Sequence, residues 1–161
     1  MTKAIYPGTF DPITVGHLDI IKRACKTFDI VYVAIMRNPN KKCTFSEDER
    51  KKMIEKCTKD LNNVRVIVDE GLTVNLASKL KCNVMIRGIR AVTDYEAELA
   101  LATSNMILNE SIETYFMVSK PELSFLSSSA AKEIAHYGGS ISGFIPKPIE
   151  KEVIKKLSVK S

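Results

Sequence analysis

The chain has 161 residues, of which 45% are hydrophobic and 27% are charged, proportions that are ordinary for a globular protein and exclude a disordered or fibrous class. The longest unbroken apolar run, Ile30 to Met36, is far shorter than the roughly 20 residues that span a bilayer. The net charge of +5 is spread along the chain apart from Lys41–Lys42 and Arg50–Lys52, and we interpret the second group as solvated helix surface. We therefore expect no membrane and no nucleic-acid partner.

The chain carries no repeat, low-complexity tract or Gly/Ser linker, so we expect a single domain over residues 1–161. The N-terminus reaches Pro7 and Gly8 before a stretch of signal-peptide length can form, and this favours a cytoplasmic protein. The four cysteines form no C-x-x-C pair. We expect neither a zinc site nor a disulfide framework, and we assign no metal ligands.

Five short β-rich runs alternate with longer stretches of helical spacing. The runs are AIYPG (4–8), IVYVAIM (30–36), VRVIV (64–68), VMIRG (84–88) and TYFMV (114–118). This alternation predicts an α/β fold, a Rossmann-like, doubly wound sheet of five parallel strands with helices on both faces. Ligands of such folds bind beyond the carboxyl ends of the strands, where the strand order reverses. The loops after the first, second and fourth strands are therefore the predicted site.

The helices are predicted from apolar periodicity and from their first residues. The first should begin near His17, and Ser46 with Glu49 forms an S-x-x-E capping box that starts the second near Glu47. Other helices are predicted to open at Thr73, to cover 95–106, to follow the serines at 127–129, and to cover 149–157 behind Pro148.

The loop after the first predicted strand reads PGTFDPITVGH (7–17). Gly8 and Gly16 remove side-chain bulk where a ligand approaches the backbone, and the amides and dipole of a helix start attract phosphate. His17 adds a donor at the same place. A plain turn followed by a helix-start histidine explains this spacing equally well. The loop matches neither G-x-x-x-x-G-K-[ST] nor G-x-G-x-x-G, so those two nucleotide motifs are excluded.

Three segments carry a resemblance to a known family. YPGTFDPITVGH resembles the signature of the nucleotidyltransferases related to class I aminoacyl-tRNA synthetases, whose [HT]-x-G-H motif reads TVGH at 14–17. IRGIRAVTDYEAEL (86–99) and SFLSSS (124–129) extend the resemblance to the bacterial phosphopantetheine adenylyltransferases over nearly the whole chain. The sequence departs from the family at Leu123, where an aromatic residue is common, and at Cys43, where proline is common.

The resemblance implies that the adenylyl group of ATP is transferred to 4′-phosphopantetheine, with Mg²⁺ and in a homohexamer, to give dephospho-coenzyme A and pyrophosphate. Because the attacking phosphate is already an anion, direct in-line displacement should need mainly positioning and charge stabilisation. The resemblance implies catalytic roles for His17 and Lys41 and substrate contacts for Thr9, Lys41, Thr73 and Arg87. The ATP contacts that it implies are Thr9, Phe10, His17, Gly88, Ile89, Arg90, Glu98, Leu123, Ser124, Phe125, Leu126, Ser127, Ser128 and Ser129.

Structural explanations remain open for several of these residues. An arginine at the end of an apolar strand, such as Arg87, needs an anion, which is either a substrate phosphate or a nearby Glu96 or Glu98. Lys41 and its neighbour Lys42 are alternative candidates for the functional cation of the loop after the second strand. Ordinary N-capping explains one serine of the 127–129 group but not three.

Three other functions fit the sequence less well. Another nucleotidyltransferase of the superfamily would make NAD-type or CDP-alcohol products by the same displacement. A non-catalytic nucleotide sensor would keep the fold and bind ATP, but it has no need for Lys41 and Arg87. Nucleic-acid binding rests on the net charge alone.

Overall fold

The computed structural model describes residues 1–37 and 42–158. Its strands are β1 (Lys3–Gly8), β2 (Ile30–Met36), β3 (Val64–Asp69), β4 (Val84–Ile89) and β5 (Glu113–Val118). They form one five-stranded sheet in the order β3-β2-β1-β4-β5, and every neighbouring pair is parallel. The predicted doubly wound α/β sheet is confirmed.

The helices of the described residues are α1 (Val15–Ala24), α2 (Glu47–Thr58), α3 (Thr73–Leu80), α4 (Val92–Leu108), α5 (Ser128–His136) and α6 (Lys147–Leu157). The capping box predicted for α2 is present, with the Glu49 amide donating to Ser46 Oγ at 3.2 Å and the Ser46 amide donating to the Glu49 carboxylate at 2.7 Å. α1 begins two residues before His17, because Thr14 caps it. None of these helices has both the length and the apolar character needed to cross a bilayer.

The two faces of the sheet are covered by different helices. Alternate residues of β1 separate into two apolar clusters: Ala4 and Tyr6 face α1, α2, α5 and α6, whereas Ile5 faces α3. α4 lies on the α3 side, where Asn105 contacts the sulfur of Met85 at 3.4 Å. Because all five strands are parallel, each helix that follows a strand begins near the edge of the sheet where the strands end.

The sheet opens at its centre. β1 and β2 pair through six residue pairs, but the ladder between β1 and β4 consists only of Ala4–Val84 and Ile5–Met85. Pro7 has no amide hydrogen to extend that ladder. The order of the strands also reverses between β1 and β4, so the opening lies at the switch point of the fold.

The turn that follows β1 is tightly folded back on the strand. Phe10 adopts a φ of 49°, which is unusual for a residue other than glycine. Its ring lies so close to Gly8 that a Cβ atom on Gly8 would be 2.9 Å from two ring carbons. The absent Cβ of Gly8 therefore makes room for the Phe10 ring, and its role in ligand approach stays a prediction.

Candidate active site

A cleft of about 770 Å³ lies at the carboxyl edge of the sheet, over the opening between β1 and β4. Residues after all five strands line it, including the three loops in which the sequence predicts a site. The cleft brings together Thr9, Phe10, His17, Thr73, Arg87, Gly88, Arg90, Glu98, Leu126, Ser127, Ser128 and Ser129.

The other predicted site residues do not line the cleft or cannot be placed. Ile89 is buried at the end of β4, and Leu123 ends a single 3-10 turn. The Ser124 hydroxyl donates to the carbonyl of Pro121 at 2.9 Å, and the exposed Phe125 ring packs edge-on against Phe144. Lys41 lies outside the described residues, whereas its neighbour Lys42 lines the cleft.

His17 is held by the residue that caps its own helix. The amide of Thr14 donates to His17 Nδ1 at 3.1 Å, and the amide of His17 donates to Thr14 Oγ1 at 3.3 Å. This is a capping box in which histidine takes the place of the usual glutamate. Because Nδ1 accepts a hydrogen bond, the ring proton of neutral His17 must lie on Nε2. His17 therefore offers the cleft one fixed N–H donor.

His17 is also kept uncharged. Its removal from water, reinforced by the positive charges of Arg90 and Arg87, lowers its pKa to about 4. Its ring packs edge-on against Phe10 with centroids 5.1 Å apart, and Phe10 packs in the same way against Tyr6 at 5.4 Å. The imidazole is therefore a neutral and oriented hydrogen-bond donor at pH 7.

Arg87 stands in the opening between β1 and β4. Its Nη1 donates to the carbonyl of Pro7 at 3.0 Å, which is the backbone group left without a partner on β4. Its Nε and Nη2 donate to the two carboxylate oxygens of Glu98 on α4, the latter at 2.6 Å. Both side chains are largely buried. Three of the five guanidinium N–H groups thus bond to other described residues, and we expect the remaining two to bind an anion.

Arg90, three residues after Arg87, is also held by a carboxylate and a backbone carbonyl. Its Nη1 donates to the carbonyl of Leu126 at 2.7 Å, and its Nε and Nη2 donate to Asp94 at 3.0 and 3.1 Å. Asp94 lies in the first turn of α4, where the helix dipole stabilises a carboxylate. The two arginines of β4 and its end therefore reach the cleft already oriented.

The serines at the start of α5 differ in what they do. Ser127 is the N-cap and accepts a hydrogen bond from the Ala130 amide at 3.0 Å. The Ser128 hydroxyl donates to the carbonyl of Pro12 at 2.7 Å and so attaches α5 to the turn after β1. Ser129 is exposed at the cleft. All three lie at the positive end of the helix dipole, where an anion is stabilised.

Sequence reasoning missed several ionic residues of this region. Asp11 and Lys132 both line the cleft and form an ion pair of 2.7 Å, although they are separated by 121 residues in the chain. The interpretation of Arg50 as solvated helix surface is wrong, because Arg50 is only 3% exposed and bonds to two backbone carbonyls. Nothing in the local spacing indicates these contacts.

The chain is similar to known proteins in sequence and in fold. The model of the cytidylyltransferase-like family matches residues 5–134. The phosphopantetheine adenylyltransferase of Clostridium novyi is 50% identical over 98% of each chain, and that of Finegoldia magna is 46% identical over 99% of this chain and 98% of its own. A solved structure assigned as a nicotinate-nucleotide adenylyltransferase, from Vibrio parahaemolyticus, has a TM-score of 0.70 at 18% identity, covers 96% of this chain and shares its fold.

The state of His17 predicts its behaviour on titration. Because folding lowers the pKa of His17 to about 4 from the ordinary value of about 6.5, the folded state favours the neutral ring. The stability that this contributes is present above about pH 6.5 and is lost as the pH falls towards 4. In nitrogen-15 NMR spectra, His17 should stay the Nε2–H tautomer from about pH 7.5 to about pH 5. The variant His136→Gln identifies its signals, and protonation of His17 near pH 6.5 would contradict the assignment.

Proposed function

The chain belongs to the phosphopantetheine adenylyltransferase family, and on that premise we propose that it transfers the adenylyl group of ATP to 4′-phosphopantetheine. The products are dephospho-coenzyme A and pyrophosphate, a step of coenzyme A biosynthesis. The observation that carries the proposal is one cleft lined by two oriented arginines and by a histidine whose ring is also held in place. Such a cleft has a separate cationic group for each of two phosphorylated substrates.

The ATP half of the site is built on the starts of α1 and α5. Arg90 and the serines at 127–129 bind the β- and γ-phosphates, where the dipole of α5 also attracts anions. The Nε2–H of His17 donates to an oxygen of the α-phosphate, and this bond strengthens as charge gathers there in the transition state. Family resemblance adds contacts of the adenosine portion with Gly88, Ile89, Glu98 and residues 123–126.

The acceptor half of the site is built on Arg87. Its two remaining N–H groups bind the phosphate of phosphopantetheine, while Thr9 contributes a hydroxyl and Thr73 lies along the pantetheine arm. Lys41 is proposed from family resemblance to act as a mobile cation on the transferring phosphate. Glu98 already orients Arg87 before substrate arrives, so that the guanidinium loses little freedom on binding.

The reaction is a direct displacement. A phosphate oxygen of phosphopantetheine attacks the α-phosphorus of ATP, the bond to the β-phosphate oxygen breaks, and its electron pair leaves with pyrophosphate. The acceptor is already an anion, so no base has to activate it. His17 is unsuited to act as a nucleophile, because the lone pair of its unprotonated nitrogen is engaged by the Thr14 amide.

Mg²⁺ is proposed to enter with ATP. Each of the cleft carboxylates that we describe, Asp11, Asp94 and Glu98, already pairs with a cation of the protein. The residues therefore suit an ion that is coordinated mainly by phosphate oxygens and water, a common arrangement for Mg²⁺. When bound, the ion would neutralise charge on the departing pyrophosphate.

We propose that residues 1–161 form one catalytic domain and that it assembles as a homohexamer, as the family resemblance implies. α4 supports self-association, because it leaves many large apolar side chains exposed, among them Val92, Leu101, Ile107 and Leu108. A cytoplasmic location is proposed on the same resemblance, and the free thiols of Cys25, Cys57 and Cys82 are consistent with it.

The reaction is tested with competing acceptors. The protein, Mg²⁺ and ATP should release pyrophosphate with 4′-phosphopantetheine, and mass spectrometry should detect dephospho-coenzyme A in equal amount. Nicotinate mononucleotide and CTP with an alcohol phosphate serve as controls, since relatives of the same fold act on other substrates. Faster turnover with either control, or ATP binding without turnover, would contradict the proposal.

The two arginines should affect different substrates. Arg87→Ala should weaken phosphopantetheine binding by about 1.5–3 kcal/mol, roughly 10- to 150-fold in Kd, and change ATP binding much less, because a charge-assisted phosphate contact is lost. Arg90→Ala is the matched variant and should show the opposite pattern in calorimetric titrations. Arg87→Ala/Glu98→Gln should recover part of the loss, because Arg87→Ala alone leaves the Glu98 carboxylate facing the phosphate. Equal weakening of both substrates by Arg87→Ala would remove it from the acceptor site.

A further inference from the structure

The carboxylate of Asp11 connects three separate segments around the cleft. Its Oδ1 accepts the Phe45 amide at 2.9 Å, and its Oδ2 accepts the Thr44 amide at 2.9 Å and the Lys132 ammonium at 2.7 Å. Asp11 itself belongs to the turn after β1, Thr44 and Phe45 lead into α2, and Lys132 is on α5. One side chain that is 7% exposed thus joins all three.

Arg50 joins two of the same segments from the opposite side. It is on α2 and donates through Nε to the Phe45 carbonyl at 3.1 Å and through Nη1 to the Thr9 carbonyl at 2.7 Å. Among the described residues, Asp11 and Arg50 are the buried charged side chains. Burying a charge costs free energy unless hydrogen bonds compensate it. The hydrogen bonds of both buried charges therefore hold the turn after β1 against the segment before α2.

These segments carry groups that face the cleft. Thr9 is in the first, Lys42 and Cys43 directly precede Thr44 in the second, and Ser128 and Ser129 begin α5 in the third. The distances between groups that touch the acceptor and groups that touch the ATP phosphates therefore depend on the bonds of Asp11. In phosphoryl-group transfer the protein contributes mainly positioning, so an error of about 1 Å can cost about 10²-fold in rate.

The position of Asp11 also creates an electrostatic problem. A bare carboxylate on the wall of a cleft that takes up polyphosphate would repel it. Burial by itself would raise the pKa of Asp11, but the bonds from Lys132, Thr44 and Phe45 outweigh burial and keep the pKa below its ordinary value. Asp11 is therefore ionised at neutral pH, and the ammonium of Lys132 is the charge that balances it.

We infer that Asp11 is a positioning residue for adenylyl transfer and that Lys132 shields its charge from ATP. Asp11, with Arg50, sets the distance between the two halves of the cleft, and Lys132 makes this arrangement compatible with an anionic substrate. The inference rests on the proposed function for its effect on rate, but not for its effects on amide exchange and ATP binding.

The two roles predict that one variant changes mainly kcat and the other mainly the Kd for ATP. Asp11→Asn should accelerate hydrogen exchange of the Thr44 and Phe45 amides about tenfold or more and lower kcat by about 10- to 100-fold. It should not weaken ATP binding, because it leaves the Lys132 charge unpaired. Lys132→Met should raise the Kd for ATP several-fold and change kcat by less than about threefold, because it exposes the Asp11 charge and keeps both amide bonds.

The double variant separates the roles further. Asp11→Asn/Lys132→Met should restore the Kd for ATP to near the wild-type value, while kcat stays low. Lys56→Met is the matched control, because it removes the surface ion pair between Lys56 and Glu152 and should change none of these quantities.

The inference is overturned if Asp11→Asn keeps the wild-type kcat, or if it speeds exchange of β1 amides such as Ile5 as much as that of Thr44 and Phe45, which would indicate general loosening. An unchanged Kd for ATP in Lys132→Met overturns the shielding role. If Asp11→Asn does not fold, Arg50→Lys replaces it, since it keeps the charge and should likewise lower kcat. A wild-type protein without adenylyl transfer would refute the proposed function, and the exchange and ATP-binding measurements would still decide the inference.

Discussion

The ladder between β1 and β4 ends after two residue pairs, and the rest of the site depends on that early ending. If pairing continued to the last residues of both strands, the carbonyl of Pro7 would have a backbone partner and Arg87 would have no opening to occupy. Instead the guanidinium of Arg87 satisfies that carbonyl and still keeps N–H groups for a ligand. The turn after β1 is then free to fold back, and this brings Phe10 against His17.

Three cations of the cleft are paired with carboxylates before any substrate binds. Arg87, Arg90 and Lys132 each hold a carboxylate, and these pairs orient the cations without placing a large unpaired charge in a partly buried space. The arginines retain N–H groups beyond those that the carboxylates use. His17 differs from them in being neutral, which suits a group that must donate to an oxygen whose charge increases only during the reaction. In the proposed reaction, binding and transition-state stabilisation therefore fall to different residues.

Much of the fold could be predicted from the sequence, because it depends on local patterns. The alternation of apolar strands with amphipathic helices predicts the sheet, and Ser46 with Glu49 predicts the start of α2. The bond between the Thr14 amide and His17 could also be predicted, since the spacing is that of a capping box with histidine as the third helical residue. The bonds of Asp11 to Thr44 and Lys132 and of Arg50 to Thr9 were missed because these partners are 33 to 121 residues apart in the chain, and no period or motif indicates contacts over such separations. The contact of Gly8 with the Phe10 ring could not be predicted for a related reason, because that ring belongs to a turn whose fold is not determined by residue spacing.

In the proposed reaction, adenylyl transfer is a single displacement governed by positioning within this cleft. The most direct test uses ATP with one α-phosphate oxygen replaced by sulfur in a single configuration, followed by determination of the configuration in the dephospho-coenzyme A product. A single in-line displacement predicts inversion at the α-phosphorus. A covalent route through His17 or Cys43, both of which line the cleft, requires two displacements and gives retention. Inversion is the result that this structure predicts, and retention would contradict it.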